Sequence, residues 1–329
     1  MSWPASSRGN DVGLTRPVRG VPVDEIATLG MLMWARGRMH SRGKEPAMAI
    51  HIVTDSMACL PQGYAEEHGV TIVPLRVSLD GEYFRDGIDI TNDEFYRRLV
   101  AGAKGGSTQP SPEEFASAYR AILDRDPAGD IVSLHVSSRL SGTLNAALTG
   151  RNQLDMVHVQ LVDTWNAGLG IAFPVMRAVE LAEARVPLWQ VVAEVEALCQ
   201  RTHTYFVLDS FTYIERGGRI GKAAAITASI LKIKPILTFT QGVTDVEDRP
   251  RTKKVALEHL WAIIDKHAQK GIEYIGFQYG TNRAEVEGFQ REFTSRYNLP
   301  SMLAQIEPVL GNQVGPDILG VIISEKKPQ

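Results

Sequence analysis

Three hydroxyl-rich stretches carry the residue types best suited to hold an anion: Thr54-Asp55-Ser56, Ser107-Thr108-Gln109-Pro110 and Ser137-Ser138-Arg139-Leu140-Ser141-Gly142-Thr143. In the third, Ser138, Ser141 and Thr143 surround the start of an expected helix. Unpaired backbone N–H groups and the positive end of the helix dipole favour negative charge there. Gly142 lets the main chain approach a ligand closely. Ser107 and Thr108 lead into a second helix start, Ser111-Pro112-Glu113-Glu114, with Ser111 as cap and Pro112 at the first helical position. Each stretch has a plainer alternative, Ser141 as a helix N-cap and Ser107 to Pro110 as a turn. Two such stretches in one chain point to a small ligand with an acidic head.

Other chemistries find less support. The sequence has no G-x-x-x-x-G-K-[ST] or G-x-G-x-x-G loop for a nucleotide, no G-x-S-x-G elbow and no H-E-x-x-H metal pair. The eight histidines are scattered. His51 and His135 fall within expected strands, where a core or edge role is the ordinary one. Asp55 can orient Ser56 or ligate a metal, and capping the strand-end turn is its plainer role. We expect no cofactor and no metal. The enzymatic alternative is a small-molecule phospho- or acyltransferase with Ser141 as nucleophile.

The elements that must position these residues follow from periodicity. Residues 49–56 form an apolar run ending in polar groups, the pattern of a buried parallel strand whose C-terminal end faces a crevice. Residues 70–79, 130–136 and 158–163 repeat the strand signal, alternating with helices opened by Thr91 and Ser111 and from Leu140 onward. This order predicts a parallel sheet with helices on both faces. Beyond Ala167 we expect helices over 167–183 and 188–202, a strand over 204–208 and a loop at Gly217-Gly218-Arg219-Ile220-Gly221. A hairpin around Gln241-Gly242, a helix over 257–270, a strand over 274–278 and a helix over 284–297 follow. The fold class is therefore α/β, with a parallel sheet in a first domain (48–166) and a mixed sheet in a second (167–329).

Length and composition agree. A chain of 329 residues exceeds the usual size of one hydrophobic core, and 44% apolar content supplies two. A net charge of -3 gives no bulk drive toward nucleic acid or anionic membrane. Cys59 and Cys199 lie far apart with no C-x-x-C spacing. No apolar run approaches the roughly 20 residues that cross a bilayer. These features predict a soluble cytoplasmic protein. Residues 1–47, rich in Arg, Gly, Ser and Pro, read as a disordered tail or an over-extended gene start.

Five motifs resemble those of the DegV family in order and spacing: Ile52-Val53-Thr54-Asp55-Ser56, Ser107-Thr108-Gln109-Pro110-Ser111-Pro112, Ser137 to Thr143, Gly217-Gly218-Arg219-Ile220 and Arg251-Thr252-Lys253-Lys254. The resemblance implies a bacterial fatty-acid-binding protein of two α/β domains, with the acyl chain buried between helices and its carboxylate held at the interdomain cleft. It implies that Ser107 and Ser138 or Ser141 hold the carboxylate, and that a separate ATP-using kinase subunit phosphorylates the bound fatty acid. Arg216, Arg219, Arg251, Lys253 and Lys254 are basic groups that can dock such a partner or stand as solvated loops. A regulatory protein that senses lipid is a third reading. Apolar candidates for the tail's lining are Ile171, Phe173, Val175 and Met176, with Ala224, Ile226, Ile230 and Leu231. Two departures from the family pattern stand out. Tyr279 occupies a place where a histidine is common and is expected as the third ligand contact, its phenol able to donate to a carboxylate, and Gln313-Val314-Gly315-Pro316-Asp317 replaces the usual His-Val-Gly-Pro-Gly, where the head-group network can be rebuilt.

Overall fold

The computed structural model describes residues 48–154, 158–225 and 233–328. The tail expected over 1–47, and Ile226, Ile230 and Leu231, lie outside them. The first half contains strands β1 (Ile50–Asp55), β2 (Thr71–Val73), β3 (Arg76–Leu79), β4 (Glu82–Arg85), β5 (Gly105–Thr108), β6 (Asp130–His135) and β7 (Val159–Asp163). Its helices are α1 (Tyr64–Glu67), α2 (Asn92–Val100), α3 (Pro112–Arg125) and α4 (Thr143–Asn152). Then come α5 (Leu169–Glu183), α6 (Leu188–Gln200), β8 (Thr202–Leu208), α7 (Thr212–Arg216), β9 (Ile236–Thr240) and β10 (Val243–Asp248). The remainder comprises α8 (Lys253–Lys270), β11 (Ile272–Tyr279), α9 (Arg283–Tyr297), β12 (Met302–Gln305), α10 (Pro308–Val314) and β13 (Ile318–Glu325).

The first sheet has the order β2-β1-β6-β7 and every pairing in it is parallel. All six residues of β6 are buried, as a strand covered on both faces requires. Ser111 and Glu114 form a full capping box at α3, with Pro112 in the first turn, as their spacing predicts. The second sheet is mixed, in the order β10-β9-β8-β13-β11-β12. Only its β11–β12 edge is parallel. Helix α5 packs against β1 and β6 of the first sheet and against β8, β11 and β13 of the second. One apolar cluster consequently runs from Ile52 and Val132 through Ile171 to Phe206 and Val309. A second lies beneath α8 and α9, around Leu260, Ile264, Phe277 and Phe293. Among the described residues no helix is long and apolar enough to cross a membrane.

The structure departs from the expected elements where local chemistry or distant pairing decides. Residues 70–79 form two strands in different sheets, β2 and β3, because Pro74 offers no N–H to continue the ladder. Ser107 and Thr108, expected in a loop, lie on β5, opposite Val77 and Arg76 of β3. The small antiparallel sheet β4-β3-β5 is absent from the sequence reading. So are α10 and β13, although β13 pairs with both β8 and β11.

Candidate ligand-binding site

A cavity of about 280 Å3 is enclosed by the segments that follow β1, β6 and β7, by β5, by β8, β9 and β10 of the second sheet and by α10. Its walls are mostly apolar, with Met57, Leu75, Phe206, Ile214, Phe239 and Leu310 among them. Its polar side chains are Ser107, Thr108, Gln109, Ser141, Arg219, Thr244 and Gln313. Three of the expected ligand contacts, Ser107, Thr108 and Ser141, therefore meet in one place.

Each is held by its own local structure. Ser107 is carried by β5, and its Oγ accepts a hydrogen bond of 2.8 Å from Gln313 Nε2. Gln313 Oε1 and Asn312 Oδ1, both on α10, are buried without a hydrogen-bond partner. A Cβ on Gly217 would stand 1.9 Å from Gln313 Oε1, and one on Gly105 would stand 1.9 Å from Asn312 Oδ1. Glycine at these two positions admits the α10 amides. Ser141 precedes α4, whose N-cap is Gly142 rather than a side chain. Ser141 Oγ instead accepts from the Thr143 amide at 3.3 Å and lies 2.8 Å from Thr143 Oγ1. Gly142 makes room for Gln109, whose Oε1 would be 2.1 Å from a Cβ there.

Arg219 borders the same space. Its Nε donates to Leu140 O at 3.0 Å and its Nη1 to Gly217 O at 2.6 Å. Thr244 Oγ1 donates to the Arg219 carbonyl at 2.7 Å. The guanidinium is thus fixed next to the Ser141 loop, and a positive charge stands at the hydroxyl end of the cavity. Sequence reasoning placed Arg219 among partner contacts.

Other expected residues lie elsewhere. Ser138 is exposed, with its amide donating to the Asp163 carboxylate at 3.2 Å, and Thr143 is fully buried. Neither Ser138, Gly142 nor Thr143 lines the cavity. Ser137 Oγ donates to Gly242 O at 2.8 Å and so ties this loop to the β9–β10 hairpin. Tyr279, at the end of β11, belongs to the apolar cluster beneath α8 and α9 and stacks below the Arg283 guanidinium at 5.9 Å. It does not line the cavity either. Ile171, Phe173 and Val175 are wholly buried core residues of α5, and Met176 is half-buried. Arg216 lies over the Tyr213 ring at 5.2 Å. Lys253 pairs with Glu285 at 2.8 Å, and Arg251 is exposed beside the N-terminus of α8.

Thr54, Asp55 and Ser56 are buried. Asp55 accepts from the Met57 and Val136 amides at 3.0 Å, and its Oδ2 is 3.0 Å from His135 Nδ1. Ser133 continues the chain to His135 at 2.7 Å, and Tyr119 to Ser133 at 2.9 Å. The serine–histidine–aspartate order resembles a catalytic relay, but these side chains are sealed in the sheet and do not line this cavity. Ser56 Oγ donates to Asp86 at 2.8 Å, while Asp86 accepts from the Val309 amide at 3.1 Å. Burial is the main cause that pushes the Asp86 carboxyl up to about 7. Asp86 thereby anchors the start of α10, the helix that carries Gln313.

Thr244 and Gln313 are polar wall residues not chosen as contacts from sequence, and Gln109 stood inside a chosen stretch without a role of its own. Gln313 had a signal, the altered Gln313 to Asp317 segment, but Tyr279 was taken as the third contact in its place.

A family model described as "Uncharacterised protein, DegV family" matches residues 49–326. The chain belongs to the DegV family. A DegV domain-containing protein of Caldanaerobacter subterraneus subsp. tengcongensis is 31% identical over 282 residues, covering 84% of this chain and 99% of its own. One from Streptomyces coelicolor is 32% identical over 281 residues, with the same coverage of both chains, 84% and 99%. Among solved structures, a DegV family protein of Thermus thermophilus, described for its fatty acid binding, superposes with a TM-score of 0.78 at 34% identity. It covers 85% of this chain and 100% of its own. DegV of Bacillus subtilis, described as a fatty acid binding protein, gives 0.78 at 26% identity with the same coverage.

Proposed function

We propose that this protein binds one long-chain fatty acid, with its carboxylate beside Ser107, Thr108, Ser141 and Arg219 and its tail among Met57, Phe206, Phe239 and Leu310. The observation that carries the reading is that a single cavity joins clustered hydroxyls to an apolar wall. Burying a tail of about fifteen methylenes gains on the order of 12 kcal/mol, at roughly 0.8 kcal/mol each, before association costs. A carboxylate leaving water needs several hydrogen bonds, which Ser107, Thr108 and Ser141 can donate while Arg219 supplies charge. Ser107, Thr108 and Ser141 come from the first half of the described chain, while Thr244, Arg219 and most of the apolar wall come from the second.

A carrier fits the wall better than an enzyme does. No histidine, carboxylate or lysine is among the described residues lining the cavity, so Ser141 has no base within it. The test is mass spectrometry of the ligand released by denaturing bacterially expressed protein. We expect close to one long-chain fatty acid per chain; a clean extract together with no uptake of added palmitate or oleate overturns the reading.

The finer reading is that the cytoplasmic protein presents the carboxylate to a separate ATP-using kinase subunit. The basic side chains of Arg216, Arg219 and Arg251 support it, Arg219 above all, since it borders the hydroxyl end of the cavity. Acyl phosphate formation by such a subunit, dependent on this protein and reduced by Arg251→Glu, is the measurement that checks it.

A further inference from the structure

Far along the chain from the cavity's hydroxyls, the face of the second sheet beneath α8 gathers three metal-ligating side chains. His203 of β8 is paired with Ile323 of β13, so Glu325, two residues further on, points to the same face. His267 descends on both from the end of α8. Its Nδ1 lies 2.7 Å from Glu325 Oε1, and its Nε2 lies 2.9 Å from the Tyr205 hydroxyl. His203 Nε2 stands 3.9 Å from Glu325 Oε1, and the two imidazole centroids are 4.8 Å apart. One ligand atom from each of the three residues lies within 4.8 Å of the others.

An ordinary ion-pair cluster explains part of this arrangement, because Lys270 Nζ also reaches Glu325 Oε1 at 2.6 Å. It does not explain His203, which faces Glu325 at a distance too long for a hydrogen bond. Burial is the first cause holding both histidines below the usual imidazole range, and for His203 the nearness of His267 adds to it.

We propose that His203, His267 and Glu325 bind a divalent transition-metal ion, with Zn2+ the best match to two imidazoles and a carboxylate. Zinc bonds of about 2.0–2.1 Å place tetrahedral ligand atoms roughly 3.4 Å apart. His203 must therefore swing inward by about 1 Å, which its 35% exposed side chain permits. When the ion binds, Nδ1 gives up the proton that faces Glu325, the remaining ring proton sits on Nε2, and the Tyr205 hydroxyl, 2.9 Å away, accepts it, the usual work of an outer hydrogen-bond partner. The ion displaces the Lys270 ammonium from Glu325, and water takes the fourth position. It clips the end of α8 to β8 and β13.

The experiment is calorimetric titration of the full chain, stripped by chelator, with Zn2+ at pH 7.5, alongside thermal unfolding. We expect saturation at one ion per chain and a melting temperature raised by about a few degrees. His203→Ala should weaken binding at least about tenfold, and Lys270→Met should tighten it several-fold by removing the competing cation. His259→Ala, at the separate His259–Asp248 pair, should leave affinity unchanged. Because folding of the metal-free His203→Ala chain can be checked by its own melting curve, a failed fold is separable, and His203→Gln then serves in its place. Absence of a one-equivalent site, or an affinity indifferent to both His203 substitutions, overturns the proposal.

Discussion

Gln313 donates from Nε2 to Ser107 Oγ at 2.8 Å, across 206 residues of sequence. The bond points the Ser107 hydroxyl hydrogen away from Gln313 and leaves it free to donate to an anion. Replacing Gln313 by alanine removes one neutral hydrogen bond's worth of positioning, about 0.5–1.5 kcal/mol. Fatty-acid affinity, measured by displacement of a fluorescent acyl probe, should fall about three- to tenfold. Gln313→His keeps a donor and should retain most of the binding.

Asp86 makes stability depend on pH. Its carboxyl rises from an ordinary 3.8 to about 7 in the folded chain. The folded state therefore holds more protons than the unfolded state between those values, and stability falls as pH rises through that window. The cost is fully present above pH 7 and absent below about pH 4. Denaturant titrations from pH 5 to pH 8 should show this decline, and Asp86→Asn should flatten it.

Gly142→Ala tests how the Ser141 loop is packed. The new methyl would meet Gln109 Oε1 at 2.1 Å, and the flexible carboxamide must turn aside. Gln109 lines the cavity, so its displacement takes up ligand space. We expect a loss of acyl probe affinity larger than the loss of stability, which should stay within about 1–3 kcal/mol.

The buried chain from Tyr119 through Ser133 and His135 to Asp55 has the opposite signature. His135→Ala leaves Asp55 Oδ2 short of one partner and opens a void in the parallel sheet. The expected loss is about 3 kcal/mol of stability. Protein that remains folded at low temperature should bind the acyl probe with unchanged affinity, and a selective loss of binding would show that the network reaches the site.

Much of this molecule is legible in its sequence, for reasons that differ by residue. Ser111 and Glu114 declare α3 because a capping box is a local device, and the run from Ile50 to Asp55 declares a buried strand because burial on both faces removes polar alternation. Ser107, Thr108 and Ser141 were picked out as candidate anion contacts from the company they keep, and they line one cavity. Gln313, the partner of Ser107, stood out only as the first residue of an altered segment, because nothing near it in sequence tells that α10 folds back against β5. Tyr279 drew attention by standing where a histidine was common, yet its ring is committed to a packed core. Arg219 has the composition of a solvated basic loop, and only the contacts to Leu140 and Gly217 draw it into the cavity wall.

β13 lies between β8 and β11 and is hydrogen-bonded to both. Until it is made, the strands β8 to β10 and the strands β11 and β12 have no shared edge on which to join. During synthesis, both sets leave the ribosome before the strand that unites them. The nascent chain must hold two incomplete sheet edges until residues 318–325 emerge, and unpaired edges of this kind are what expose a partly made sheet to wrong pairing.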